Sequence, residues 1–201
     1  MAIRRFYTNG GETMEITENN LREMIIKALY ELNNSDNIST VQRRIKIYMV
    51  CTFSWSEEYL KFLSKMEKYP VDVYAVVHES CMKDNYDNRF KEFQSCKDVV
   101  LIENIPFDLD DAITIFPTIT QDILSKSALL IEDTHENLWI SNCIKEGGKI
   151  IFSLNGLPKF SGKESQYYKE KVLSYYTDIL KYNIEISKDF DFLWDIAKRG
   201  D

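Results

Sequence analysis

Two short polar segments carry residue types that could bind a phosphorylated ligand. The first, Thr52-Phe53-Ser54-Trp55-Ser56, follows a strongly apolar run and directly precedes a predicted helix. Hydroxyl groups and the unpaired N–H groups of a helix N-terminus can together hold a phosphate. The segment contains no glycine, so it lacks the GxGxxG pattern of a dinucleotide site. Simple N-capping by Ser54 or Ser56 explains the same residues, and both interpretations stay open.

The second segment is Pro117-Thr118-Ile119-Thr120-Gln121-Asp122, which also joins an apolar run to a predicted helix. Its hydroxyl, amide and carboxylate groups could contact a polar ligand, and we favour this interpretation. The alternative is an ordinary strand-to-helix turn in which Thr120 or Asp122 caps the helix. Asp122 would also bring a negative charge near a phosphate-bearing ligand, unless its side chain points away.

Histidine, the usual acid–base residue, occurs only at His78 and His135. His78 lies at the end of a predicted strand and could face a cleft, although a partly buried structural histidine is the more frequent case. His135 follows Asp133-Thr134 and could lie at a subunit contact. The sequence therefore predicts no positioned acid–base pair.

The acidic residues and the cysteines are not spaced as metal sites or disulfide frameworks require. The acidic group Asp108, Asp110 and Asp111 has no partner pattern, and we interpret it as a solvated loop. The four cysteines are widely separated and form no CxxC pair: Cys51, Cys81, Cys96 and Cys143. This usage predicts reduced thiols and a cytoplasmic location.

Length and charge narrow the class of protein. A chain of 201 residues is long enough for one domain with a well-filled hydrophobic core, and it leaves little room for a second full domain. The net charge of -7 argues against nucleic acid or an anionic membrane as the main partner. No signal peptide opens the sequence, and no apolar run approaches the ~20 residues of a membrane span.

From residue 44 onward, predicted strands alternate with predicted helices. The strands cover residues 45–51, 71–78, 99–103, 112–116, 149–154 and 184–187. The helices cover residues 56–69, part of 81–97, 122–131, 137–145 and 163–182. This alternation predicts a Rossmann-like, three-layer α/β fold, with a parallel sheet covered by helices on both faces.

The first forty residues are predicted to form an appendage to this α/β domain of residues 41–201. Thr17 is a reasonable N-cap for an amphipathic helix that extends to Leu32, and a polar linker follows. The helix could pack on its own domain or on a neighbouring subunit. It could also be a detachable docking helix.

The fold class indicates where a ligand would bind. In open parallel sheets, ligands bind beyond the carboxyl ends of the strands, near the point where the strand order reverses. The loops after the first, second and fourth strands of the sheet are therefore the candidates. The second of these loops contributes Ser80.

The stretch from Pro117 onward resembles the flavin-dependent cysteine decarboxylase type of flavoprotein. In that family the fourth strand ends in a Pro-Ala-Thr-Ala-Asn-Thr type loop, followed by a helix with a Lys-x-Ala pattern. The matching positions, with one extra residue after Pro117, are Thr120, Lys126, Ala128, Ile131 and Asp133. The resemblance spans residues 45–154. Non-decarboxylating relatives such as the flavoprotein component of dipicolinate synthase are at least as similar.

The resemblance implies a bound FMN. The phosphate would lie near Thr52, Phe53 and Ser54, with support from Ser80. The ribityl chain and the ring would meet Pro117, Thr118, Thr120, Gln121 and Asp122. The sequence departs from the family at Asp122, where the family has Asn, and in its glycine-free first loop. The catalytic His of the decarboxylases also has no counterpart between residues 81 and 106.

The leading hypothesis is therefore an FMN-binding flavoprotein that acts in a redox step or carries flavin for a partner enzyme. A decarboxylase-like lyase is a weaker form of the same hypothesis. The alternatives are a non-catalytic assembly protein that has lost its cofactor and docks through its N-terminal helix, and a sugar-nucleotide or nucleoside enzyme. We expect a small-molecule substrate or a partner enzyme, and a homo-oligomer. Some flavoproteins of this type belong to bacterial microcompartments, where terminal helices direct encapsulation.

Overall fold

A computed structural model describes residues 4–7, 13–16, 44–82 and 86–199. Contacts divide the chain into two units, residues 1–41 and residues 42–201. In the first unit, strand β1 (Arg4–Tyr7) pairs antiparallel with strand β2 (Thr13–Ile16). The sequence patterns did not predict this pair. The predicted helix of residues 17–32 lies outside the described residues.

The second unit is built on a six-stranded, fully parallel sheet. Its strands are β3 (Ile45–Val50), β4 (Val71–Val77), β5 (Cys96–Leu101), β6 (Ile113–Phe116), β7 (Lys149–Ser153) and β8 (Ile184–Ser187). They lie side by side in the order β5-β4-β3-β6-β7-β8. This is the order of the Rossmann fold, and it confirms the predicted fold class.

Helices cover both faces of this sheet. They are α1 (Glu58–Met66), α2 (Glu79–Met82), α3 (Tyr86–Lys91), α4 (Gln121–Ala128), α5 (His135–Lys145), α6 (Gln166–Lys181) and α7 (Phe192–Arg199). Residues of β3 alternate between the two cores. Ile47 and Met49 pack with α1, α3 and α7, whereas Tyr48 and Val50 pack with α4, α5 and α6. A strand buried on both faces explains the continuous apolar run in the sequence.

Two elements differ from their prediction. Strand β5 begins at Cys96, three residues before the predicted start, and its Lys97 and Asp98 are exposed because β5 is an edge strand. Helix α7 was not predicted. Its Leu193 and Ala197 are buried in the same core as α1.

The strand order reverses between β3 and β6. Both strands are central, and they pair directly, with Ile47 opposite Ile113 and Met49 opposite Ile115. β4 lies on the other side of β3, and β7 lies on the other side of β6. The loops that leave β3 and β6 therefore diverge from neighbouring points at the carboxyl edge of the sheet, where ligands bind in this fold.

Asn137 joins the two helices that follow β6. Its side-chain amide donates to the carbonyl of Ile123 at 3.0 Å and to the hydroxyl of Ser127 at 2.9 Å, both on α4. The Thr134 hydroxyl donates to Asn137 Oδ1 at 2.7 Å. Because Asn137 is buried and forms all of these bonds, it fixes the N-terminus of α5 against α4.

We expect Asn137→Ala to lower the free energy of unfolding by about 2–3 kcal/mol, because it leaves buried polar groups without partners. Asn142→Ala is a matched control in the same helix. Asn142 is half-buried and donates only to Leu138 O of its own helix, so its loss should cost less than about 1 kcal/mol. Urea denaturation followed by circular dichroism measures both. Equal losses would contradict the bridging role of Asn137.

Candidate functional site

The loop after β3 is fastened to the helix that follows it. Thr52 is buried, its hydroxyl lies 2.8 Å from the hydroxyl of Tyr59, and its N–H donates to the same oxygen at 2.8 Å. The predicted ligand residue Thr52 therefore uses its polar groups within the protein. Ser56 Oγ accepts the N–H of Glu58 at 3.3 Å. The N-cap of α1 is Glu57, which forms no side-chain capping bond, so neither Ser54 nor Ser56 is the N-cap that the sequence suggested.

Between these two anchors the loop is open to solvent. Ser54 is exposed, and the side chain of Phe53 is 66% exposed, which is unusual for a phenylalanine. The N–H of Phe53 donates at 3.3 Å to Oε1 of Glu136, at the N-terminus of α5. The backbone of the loop is therefore held while two side chains remain available to a ligand.

Glu136 also forms a buried pair with His78, at the carboxyl end of β4. Its Oε1 lies 2.9 Å from Nε2 of His78, and the two residues are 5% and 8% exposed. The sequence did not predict this contact, because the two residues lie far apart in sequence and meet only where α5 returns to the sheet.

The pair shifts both titrations. The hydrogen bond to Glu136 raises the pKa of His78, and this effect outweighs burial, which acts in the opposite direction. Burial pushes the pKa of Glu136 upward, but the hydrogen bond and the charge of His78 prevail and hold that pKa below its ordinary value. The two side chains therefore favour the imidazolium–carboxylate state.

Two further rings border His78. Phe53 lies edge-to-face with the His78 ring at a centroid distance of 5.6 Å, and His135 does so at 5.7 Å. His135 is exposed, like Phe53. We call Phe53, His78, His135 and Glu136 the His78 cluster. It places one buried imidazole beneath two exposed rings at the carboxyl edge of the sheet.

The loop after β6 is tied to the connection between β7 and α6. The Thr118 hydroxyl and the Ile119 N–H both donate to the carbonyl of Gly156, at 3.3 Å and 3.0 Å. A Cβ atom at Gly156 would lie only 1.9 Å from the carbonyl oxygen of Pro117. Gly156 is therefore required for this close approach, and Pro117 and Thr118 are held in place by it.

Thr120 and Asp122 take separate roles at the start of α4. Thr120 is the N-cap, and its hydroxyl accepts the N–H of Ile123 at 3.2 Å. Asp122 pairs with Lys126 at 2.8 Å, and Lys126 also reaches Asp133 at 3.1 Å. The carboxylate of Asp122 is thus partly neutralised by a cation of its own helix, which reduces its repulsion of a ligand phosphate.

Gln121, between them, carries an unsatisfied polar group. Its Nε2 atom is buried, and it has no hydrogen-bond partner among the described residues. Leaving a buried amide donor unpaired costs about 1–3 kcal/mol. Such an orphan donor in a native fold calls for an explanation, and a bound acceptor is one.

Ser80 and a small cleft complete the carboxyl edge. Ser80 is exposed in the short helix α2, directly after β4. The cleft has a volume of about 130 Å³ and borders Pro117, Ser153, Lys61, Lys65 and Lys188. Lys61 pairs with Glu58 at 2.7 Å, and Lys65 pairs with Asp189 at 3.3 Å. This volume suits a phosphate-sized group rather than an entire flavin, since sites for such ligands measure about 300–1,000 Å³.

Other chemistry finds little support in the part of the chain that the structure describes. There, no group of three or more His, Cys, Asp or Glu side chains is arranged to hold a metal ion. No disulfide joins the four cysteines, each of which lies in a described segment. None of the described helices has both the length and the apolar character that crossing a membrane requires.

The chain shares its fold with solved flavoproteins. It superposes on the FMN-dependent cysteine decarboxylase SpaF with a TM-score of 0.53 at 12% identity, covering 79% of this chain and 96% of that one. For the dodecameric FMN-dependent UbiX-like decarboxylase of Escherichia coli O157:H7, the TM-score is 0.51 at 12% identity, covering 78% and 91%. No protein-family profile matches the sequence, and no curated protein does.

A third similar structure is DmrB of Burkholderia xenovorans in complex with FMN, described as a cubic protein cage for redox transfer. The TM-score is 0.51 at 10% identity, covering 77% of this chain and 94% of that one. At such identities the likeness is one of fold. The fold is that of the FMN-dependent decarboxylases, the class that the sequence pattern resembles.

Gly156→Ala should destabilise the protein by about 2 kcal/mol or more, because the added methyl group displaces the loop after β6. Gly162→Ala provides the comparison. Gly162 has a positive φ of 89° but open space around it, so this variant should lose only about 1 kcal/mol to backbone strain. Urea denaturation measures both values. A Gly156 variant that is no less stable than the Gly162 variant would disprove the close approach.

NMR titration of the two histidines should give His78 a pKa above its ordinary value, because Glu136 stabilises its charged form. In Glu136→Gln this pKa should fall, since the carboxylate charge is gone while a hydrogen-bonding side chain remains. An unchanged His78 titration in the variant would contradict the pairing.

The same pair should make stability depend on pH. Because the pKa of His78 is higher in the folded than in the unfolded chain, His78 stabilises the fold fully when the pH is below its unfolded-chain pKa. This contribution is lost as the pH rises through the folded-state pKa. Because the pKa of Glu136 is lower in the folded than in the unfolded chain, Glu136 stabilises the fold when the pH is above its unfolded-chain pKa. This contribution is lost as the pH falls through the folded-state pKa. The difference in unfolding free energy between wild type and Glu136→Gln should thus be largest between about pH 4.3 and pH 6.5.

Proposed function

We propose that the protein is a flavoprotein that binds FMN beyond the carboxyl ends of β3, β4 and β6. The observation that carries the proposal is the unpaired side-chain amide of Gln121. Gln121 begins α4, the helix that follows β6 at the point where the strand order of the sheet reverses. The position is the ligand crevice of this fold. Three solved proteins with the same fold are described as FMN-dependent or as FMN complexes.

The residues of the site would divide into contacts and supports. The exposed side chains of Phe53, Ser54 and Ser80, together with Gln121, would contact the cofactor. Thr52, Pro117, Thr118, Thr120 and Asp122 would hold the two loops in place through the hydrogen bonds, ion pair and close contact described above. The hydroxyls of Ser54 and Ser80 suit the phosphate, and the apolar ring of Phe53 suits the flat face of a flavin.

Local charge is compatible with an anionic cofactor. The two glutamates at the start of α1 are engaged, Glu57 by the indole N–H of Trp55 at 2.8 Å and Glu58 by Lys61 at 2.7 Å. With Asp122 paired to Lys126, the acidic residues beside both loops have partners. In the cleft beside Pro117, Lys61 and Lys65 are paired with carboxylates, and Lys188 adds a positive charge that no carboxylate of the described residues pairs with.

When bound, the flavin would supply the electron-transfer chemistry, and the protein would supply orientation and electrostatics. We infer a redox role, or carriage of flavin for a partner enzyme, in preference to decarboxylation. The chain has no histidine in the region where the decarboxylases are expected to carry theirs, between residues 81 and 106.

A homo-oligomer is part of the proposal. Large apolar side chains are exposed directly after α4 and along α6, and these two helices are joined where the Tyr182 hydroxyl donates to the carbonyl of Ala128. They are Leu129, Leu130, Ile131, Leu173 and Leu180. Exposed apolar residues on neighbouring elements are typical of a subunit contact. One of the solved proteins of this fold is described as dodecameric.

Replacing Gln121 with leucine separates ligand binding from stability. Gln121→Leu should weaken FMN binding about tenfold, which corresponds to the loss of one hydrogen bond of about 1.4 kcal/mol. It should not lower the free energy of unfolding, because an apolar side chain of similar size removes an unsatisfied donor. Quenching of flavin fluorescence measures the affinity, and urea denaturation measures the stability.

Gln166→Leu is the control, because Gln166 is exposed and its amide donates to Glu170 at 3.0 Å on the surface of α6. It should leave FMN affinity unchanged. A colourless wild-type protein that takes up no added FMN would overturn the proposal in favour of a non-catalytic assembly protein. Binding that Gln121→Leu leaves intact would move the site away from α4.

A further inference from the structure

The His78 cluster contains a buried ionisable pair that belongs to neither apolar core. Apolar residues fill both cores, whereas His78 and Glu136 lie at the carboxyl edge, between the loop after β3 and the N-terminus of α5. Burying two ionised groups has a desolvation cost that their attraction only offsets when the geometry is good. Buried titratable pairs at a ligand edge are therefore candidates for chemistry.

The contacts of the pair fix the orientation of the imidazole. Glu136 Oε1 is held by the N–H of Phe53 as well as by Nε2 of His78. Within the described residues, the other ring nitrogen of His78, Nδ1, forms no hydrogen bond to the protein. The ring therefore has one nitrogen anchored to a carboxylate and one available, which is the arrangement of an oriented acid–base histidine.

Carboxylate groups face His78 from two elements. Glu136 approaches from α5, and Glu103 adds its negative charge from the segment after β5. The uncharged ring of Phe53 and the imidazole of His135 form the other walls. The hydrogen bond to Glu136 and the negative charges of Glu136 and Glu103 raise the pKa of His78, which favours the protonated ring that a proton donor needs.

We propose that His78 is the proton donor of the candidate site and that Glu136 is its positioning residue. The inference rests on the proposed function, because the acceptor is the bound flavin or a ligand that the flavin serves. The N–H bond at Nδ1 breaks, and the proton bonds to the ligand atom that has gained negative charge. His78 is left as neutral imidazole, with Nε2–H still donated to Glu136, and it recovers a proton from water.

The flavin itself provides the test. Dithionite supplies two electrons to bound FMN, and the accompanying proton would come from His78. In wild type, a plot of the flavin midpoint potential against pH should then change slope at the pKa that NMR assigns to His78. In His78→Gln this change of slope should be missing. In Glu136→Gln it should move to lower pH by about 1 unit, because the neighbouring carboxylate charge is removed.

Glu170→Gln is the matched control for Glu136→Gln. Glu170 is exposed on the surface of α6, so its replacement should keep the wild-type profile. Circular dichroism and FMN affinity confirm that each variant is folded and loaded. Should His78→Gln fail to fold, the shift in Glu136→Gln decides the question. A purely structural pair would change stability and leave the pH profile of the potential as in wild type.

The two proposals fail differently. If wild type binds FMN and all variants share one potential–pH profile, the role of His78 is overturned while the flavoprotein remains. If wild type takes up no FMN, the proposed function is overturned, and the role of His78 falls with it. A slope change that follows His78 through both variants supports both proposals.

Discussion

The parallel pairing of β3 with β6 is the constraint on which the rest of the site depends. These strands are separated in sequence by two further strands and three helices, yet Ile47 lies directly opposite Ile113. Their pairing forces the chain to proceed outward in opposite directions from the middle of the sheet. The loops after them diverge for that reason, and the crevice between those loops follows from topology rather than from any single side chain.

The His78–Glu136 pair shows how such an edge can contain charge at acceptable cost. Desolvation alone would favour two neutral side chains. The carboxylate instead accepts from both the imidazole and a backbone N–H, and it lies in the first turn of α5, where the helix dipole favours negative charge. One interaction thereby joins three elements: the end of β4, the loop after β3 and the start of α5.

Local patterns predicted the parallel fold and the order of its six strands along the chain. They did not predict features that depend on contacts between residues far apart in the sequence. Strand β5 has one exposed side, so its first residues lack an apolar signature. In the sequence, Glu136 is an ordinary acidic residue in the first turn of a helix, and only the packing of α5 against the sheet places it beside His78. The orphaned amide of Gln121 has no counterpart in sequence, since residue type does not reveal which polar atoms remain unpaired.

The anchoring of the loop after β3 to two different helices has a thermodynamic consequence. Thr52 is bonded to Tyr59 of α1, and Phe53 is bonded to Glu136 of α5. The protein's own contacts therefore contribute to offsetting the conformational entropy that ordering this loop costs during folding.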